Sequence, residues 1–158
     1  MKVAVLCVGN RLMLDDGVGP AVFDVLQGRT LPVGVDLFDV GCMTMDMVNA
    51  VRDYDWIVTV DAVDGTDEKP GTIFRYTPDE VEPRPFGVAS LHELRLADLF
   101  EAAMLLGYKA QGVCYGMQVK NPSPAVLQEG LTAPVAAKVD ELADRVVREL
   151  EYLASQEA

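Results

Sequence analysis

A chain that opens VAVLCVGNRLMLDDGVGP, residues 3–20, has few ways to fold. Six apolar residues run without alternation from Val3 to Val8, too few for a helix and too uniformly apolar for a half-exposed strand. Such a run fits a central strand covered on both faces. Gly9 ends it, and Pro20 opens a helix reaching about Gly28, with Ala21, Val22, Val25 and Leu26 on its apolar side. Strand, acidic loop and helix in that order set Asp15 and Asp16 at the carboxyl edge of an open α/β sheet, where ligands bind.

The rest of the chain continues the pattern, with one departure. A second strand is expected from Val35 to Val40, ending in Asp39-Val40-Gly41-Cys42, and a Met-rich helix from about Met43 to Arg52. Trp56 to Val60 is a third strand that delivers Asp61 at its end. The segment AVDGTDEKPG that follows is too short for a helical crossover, so the strand from Thr72 to Tyr76 runs antiparallel to the third or lies beside it as an edge. After a loop with Pro78, Pro83 and Pro85, Ser90 and Glu93 have capping-box spacing. They predict a helix to about Leu106, with Leu96, Ala97, Phe100, Ala103 and Met104 inward. Gly112 to Val119 reads as the fifth strand. The last helix, Pro134 to about Leu153, carries Val135, Val139, Leu142, Val146, Leu150 and Leu153 at spacings of three and four, and its charges form a solvated face. The expected fold is one α/β domain over residues 1–158: a three-layer sandwich on a mostly parallel, mixed five-stranded sheet, its fourth strand antiparallel.

Charge narrows the function. There are 25 acidic side chains against 13 basic ones, a formal net charge of -12. That excess repels nucleic acid and anionic membranes, and favours metal ions or basic partner surfaces. No apolar run approaches the roughly 20 residues of a membrane helix, and no secretory leader precedes the first strand, which points to a cytoplasmic protein. Cys7, Cys42 and Cys114 are odd in number and widely spaced, as free buried thiols would be.

Asp16, Asp61 and His92, the chain's one histidine, fall on one rim of this sheet. Two carboxylates and an imidazole make a mixed donor set suited to a divalent metal such as nickel, zinc, manganese or iron. A helix amino terminus would keep His92 neutral, as a ligand must be. Other readings use the same residues. Asp15 or Asp16 could cap the following helix, Asp61 could head a turn, and His92 could be a surface residue. Met43, Met45 and Met47 suit a core or an adaptable surface better than a soft metal site; Cys42, near the rim, is a lesser candidate ligand. An acidic pair, an aspartate after the third strand and Lys120 after the fifth also suggest a receiver-like phosphoacceptor or metal-binding signalling module. Against that, the pair comes late after its strand, a helix is missing between strands three and four, and the histidine goes unused. The glycines at 9, 17 and 19 fit neither a dinucleotide fingerprint nor a phosphate-binding loop.

The opening GNRLMLDDGVGP, with D-x-G at Asp39 to Gly41, VDAVD around Asp61, SLHE around His92 and the late strand at Gly116-Met117-Gln118, resembles the hydrogenase maturation proteases. These endopeptidases trim the large subunit of [NiFe] hydrogenases. The resemblance spans nearly the whole chain. It departs from the family pattern at Asp-Val-Gly-Cys, where Gly-Gly-Thr is common, and at Asp16, where some members carry Glu. It implies a mixed five-stranded α/β/α fold and an endopeptidase acting on a nickel-loaded large-subunit precursor as a monomer. By resemblance, Asp16, Asp61 and His92 recognise nickel borne by the substrate, Asp16 and Asp61 also take part in catalysis, and Asp39 and Gly41 border the substrate. Zinc or cadmium could occupy the same site in vitro. No H-E-x-x-H helix is present, and no spare base remains to activate Cys42 or Cys114.

Overall fold

The computed structural model describes residues 1–41, 46–80 and 96–156. Among them five strands form one sheet in the order β2-β1-β3-β5-β4. These are β1 (Val3–Val8), β2 (Val35–Val40), β3 (Trp56–Val63), β4 (Ile73–Tyr76) and β5 (Gln111–Gln118). The four from β2 to β5 in that order pair in parallel, and β4 closes the edge antiparallel to β5. The mixed sheet with a reversed fourth strand is therefore as expected, but β4 lies against β5 and not against β3. The cause is the short return loop, which is pinned to the end of β5: Gly71 N–H donates to the Gln118 carbonyl, and Gln118 N–H to that of Thr72, each at 2.8 Å.

Alternation along the strands divides the core in two. Val3, Val5 and Cys7 of β1, Val58, Val60 and Ala62 of β3, and Val113, Tyr115 and Met117 of β5 face the helices α1 (Val18–Gln27) and α5 (Val139–Ser155). Ala4, Leu6, Val8 and Ile57 face the side of α2 (Asp46–Ala50) and α3 (Leu96–Leu105), where Val48 and Leu99 are buried. The apolar positions expected of the last helix are all buried, though it is broken into α4 (Ala133–Ala136) and α5. One charge departs from the solvated face: Glu149 is buried, accepting from Arg75 Nε of β4 at 2.6 Å and from the Tyr115 hydroxyl at 2.8 Å. It occupies the apolar stripe three residues after Val146, which is the signal that marks it. In α3 Leu99 and Ala103 are buried and Phe100 packs on the same core as expected, while Met104 is 71% exposed, because the helix turns the 99 position toward the sheet. The expected starts of the α2 and α3 helices, with the Ser90–Glu93 capping pair, lie outside the described residues. No helix among the described residues is long and apolar enough to cross a membrane.

Close approach of α1 to β1 sets the rim. A Cβ on Gly19 would lie 2.2 Å from the Val8 carbonyl oxygen, a backbone atom that cannot give way. Gly19→Ala is therefore expected to cost about 2–3 kcal/mol and to lower the melting temperature by roughly 5–12 °C. A thermal melt unchanged by the substitution would contradict this packing.

Candidate active site at the carboxyl rim of the sheet

The acidic loop leaves β1 through a tight turn. Gly9 has φ +150°, and a Cβ there would meet the Asp16 carbonyl oxygen at 2.0 Å. Asn10 Oδ1 accepts from Leu12 N–H at 2.9 Å, an Asx turn that bends the chain back. Leu14 has φ 49°, unusual for a side chain of that size, and is held there by burial and by donating to the Gln128 carbonyl at 2.9 Å. A short 3-10 turn, Leu14–Gly17, then carries both aspartates, and both are buried.

The two have different partners. Asp15 Oδ2 accepts from Lys120 and Asn121 N–H, each at 2.9 Å. Its Oδ1 accepts from Thr132 N–H at 2.8 Å, and the Thr132 hydroxyl donates to the same carboxylate at 2.7 Å. Asp15 thus ties both ends of the 120–132 loop to the turn. Neither aspartate caps α1, whose N-cap is Gly17 without a side-chain bond. Asp16 Oδ2 accepts from Asn10 N–H at 2.9 Å, which closes the Gly9-Asn10 turn. The 3-10 turn packs against β3.

Asp61 lies on that strand and is 1% exposed. β3 runs three residues beyond the expected end, since Asp61, Ala62 and Val63 keep pairing with Gly116, Met117 and Gln118, so Asp61 is inside the strand and not past it. Its Oδ1 accepts from Ala62 N–H at 2.8 Å. By alternation its side chain is on the α2/α3 side of the sheet, opposite Gly116 in register. Cys114 and Tyr76 share this neighbourhood. Burial pushes the Cys114 thiol up to about 12, with the Asp61 charge adding to the shift, and it raises the Tyr76 phenol as well. Gln118 closes the rim: its Nε2 donates to Asp64 Oδ1 and to the Val119 carbonyl, each at 2.8 Å, while its Oε1 accepts from Thr66 N–H at 3.0 Å. Nothing in the spacing of the sequence marks this role.

Asp39 does not join that cluster. It lies on the α1 side of β2, where its Oδ2 accepts from Arg11 at 2.8 Å. Arg11 also makes a two-pronged pair with Asp24 of α1 at 2.7 and 3.0 Å, and that contact holds the Asp24 carboxyl below its usual range. Gly41 is exposed just past β2. His92, Cys42, Met43 and Met45 lie outside the described residues, and Met47 packs on the α2/α3 core. Among the described residues no three His, Cys, Asp or Glu side chains are grouped to hold a metal ion. Cys7 and Cys114 are free and buried. Burial, strengthened by Asp39 and Asp24, pushes the Cys7 thiol to about 12.

A receiver module has its five parallel strands in the order 2-1-3-4-5; here β5 takes the place next to β3, and the outer strand is reversed. The topology defines a mixed α/β fold of another kind. The family model of the HycI hydrogenase maturation proteases matches residues 20–149. The Escherichia coli K12 hydrogenase 2 maturation protease is 28% identical over 152 residues, covering 95% of this chain and 91% of that protein. The hydrogenase expression/formation protein HoxM of Azotobacter vinelandii is 34% identical, covering 98% of this chain and 73% of its own. The solved structure of the E. coli hydrogenase maturating endopeptidase HybD superposes with a TM-score of 0.83 at 26% identity, over 96% of this chain and 93% of that one. The chain belongs to the hydrogenase maturation protease family.

Two outcomes test this geometry. Asp15→Ala strands three backbone donors, each of which costs about 1–3 kcal/mol when buried without a partner; a clear drop in the urea midpoint is expected, and an unchanged midpoint would contradict the clamp. The thiols of Cys7 and Cys114, raised from 9.0 to about 12, stay neutral in the fold at pH 8 and resist iodoacetamide until urea exposes them. Their preference for the neutral form also removes stability as pH climbs from 9.0 toward about 12. Peptide mass mapping reads the labelling, and rapid native alkylation at either position would contradict the burial.

Proposed function

We propose that this protein is an endopeptidase that removes the C-terminal extension from the nickel-loaded large-subunit precursor of a [NiFe] hydrogenase. In this reading Asp16, Asp61 and His92 recognise nickel carried by the precursor. The observation that carries it is the division of labour in the acidic turn: Asp15 is committed to the loop clamp, while Asp16 is buried in the same turn, which packs against β3, the strand of buried Asp61. Family membership and the names of the relatives supply the substrate class.

Nickel here is part of the substrate. Two carboxylates and one imidazole suit a divalent first-row metal and leave positions for the precursor's own ligands. The metal polarises the scissile carbonyl or acidifies a water, and the Asp16 or Asp61 carboxylate takes the water's proton. A thiol mechanism at Cys7 or Cys114 is disfavoured, because each is buried and shifted away from its thiolate. Gly41 borders the precursor's path, with Asp39 set beside it by Arg11. Zinc or cadmium added in vitro would meet the same donors. The protein works as a cytoplasmic monomer in this reading.

The test is incubation with a large-subunit precursor with and without nickel, read by product mass. Loss of a C-terminal peptide from the loaded form alone is expected. Asp16→Asn, Asp61→Asn and His92→Ala should each slow it by at least about 100-fold, the scale of losing one electrostatic partner of a transition state, with the fold intact. Equal cleavage of both precursor forms would overturn nickel recognition, and normal processing by a variant would remove that residue from the site.

A further inference from the structure

The segment after β5 is a loop of fourteen residues, 119–132, with no helix or strand of its own. Loops of that length inside compact domains are commonly functional. Its middle runs alongside the acidic loop: Gln128 N–H donates to the Leu12 carbonyl at 2.7 Å, and Leu14 N–H to the Gln128 carbonyl at 2.9 Å, a parallel bridge of Met13 with Gln128. In the register of that bridge Leu12 lies beside Leu127, and residues in register on parallel segments share a face. Leu12 is 43% exposed, Leu127 64% and Val126 77%. These apolar side chains are presented on the two segments that Asp15 clamps together, and Leu12 lies four residues before Asp16.

We propose that Leu12, Val126 and Leu127 form the seat for the precursor's extended segment beside the cut, an apolar stretch flanked by basic residues. This rests on the proposed function and extends its site outward. Two observations select this occupant. The patch is continuous with the rim, since its first segment leads directly into the turn of Asp16, so a peptide delivered to that turn crosses it. Its charged surround favours cations, because Arg11 beside Leu12 is paired with both Asp24 and Asp39, and Glu129 follows the bridged Gln128. The bridge and the Asp15 clamp set the seat in advance, which lowers the ordering cost of binding an extended chain.

The experiment measures steady-state processing of the nickel-loaded precursor by the unaltered protein, by the double variant V126S/L127S, and by L12S. The control is M104S/L105S, at the other exposed apolar pair, on α3. Exposed sites of this kind tolerate serine, and a melting curve verifies the fold. The seat predicts a KM raised about tenfold in V126S/L127S and several-fold in L12S, with kcat within about twofold, as expected when interface anchors are lost. The control should match the unaltered protein. An unchanged KM in V126S/L127S, or an equal rise in the control, overturns the seat while leaving the protease reading standing. Absence of cleavage by the unaltered protein overturns both.

Discussion

The carboxylate of Asp15 accepts hydrogen bonds from Lys120 and Asn121 at one end of a loop and from Thr132 at the other, while its own residue sits in the turn after β1. A charged acceptor satisfied by several backbone donors is among the stronger polar contacts available to a fold, and breaking one side strands the rest. Three distant pieces of chain are thereby held in one arrangement: the exit of β1, the exit of β5 and the start of α4. That arrangement sets Leu14 at positive φ, lays residue 128 along residue 13, and packs the turn that carries Asp16 against β3. Strain at Leu14 persists because these contacts over-determine it.

Pleating of the sheet sets the direction of Asp61 through parity. β3 continues to Val63, so Asp61 has strand geometry and its direction is set by pleating rather than by a loop. Opposite it in register stands Gly116, which has no side chain; a Cβ there would meet Val63 at 2.9 Å. The same parity sends Asp39 to the other side of the sheet, where Arg11 and Asp24 engage it. Two aspartates that look alike in the sequence, each near the end of a strand, thus face opposite layers.

What the sequence showed and what it hid follow from the range of the interactions. Strands β1, β2, β3 and β5 are legible because buried parallel strands are apolar runs, and the reversed β4 because ten residues are too few for a crossover. The neighbour of β4 was not legible: it is chosen by Gln118, whose contacts with residues 64, 66, 71 and 72 are long in sequence. The different fates of Asp15 and Asp16 were equally hidden, because the Asp15 partners lie 105 to 117 residues away. Met104 was expected inward by spacing and Leu99 was not, and the angle of α3 against the sheet reverses the two. Glu149 was read among the solvated charges of the last helix, and the partners that bury it, Arg75 and Tyr115, come from other elements.

Burying two carboxylates is costly, since each is desolvated. A fold retains such a pair where a cation offsets the cost. In the proposed reaction the cation arrives with the substrate, so the electrostatic gain of binding is available only to a precursor that already holds its metal. A precursor without nickel would meet the same shape and the same apolar seat, but would bring no cation to Asp16 and Asp61. Discrimination then comes from a difference between two substrates in one charge, the kind of difference that a buried polar site reads far more sharply than an apolar one. The general acidity of the chain adds to attraction at long range, while the buried pair decides which arrivals are held.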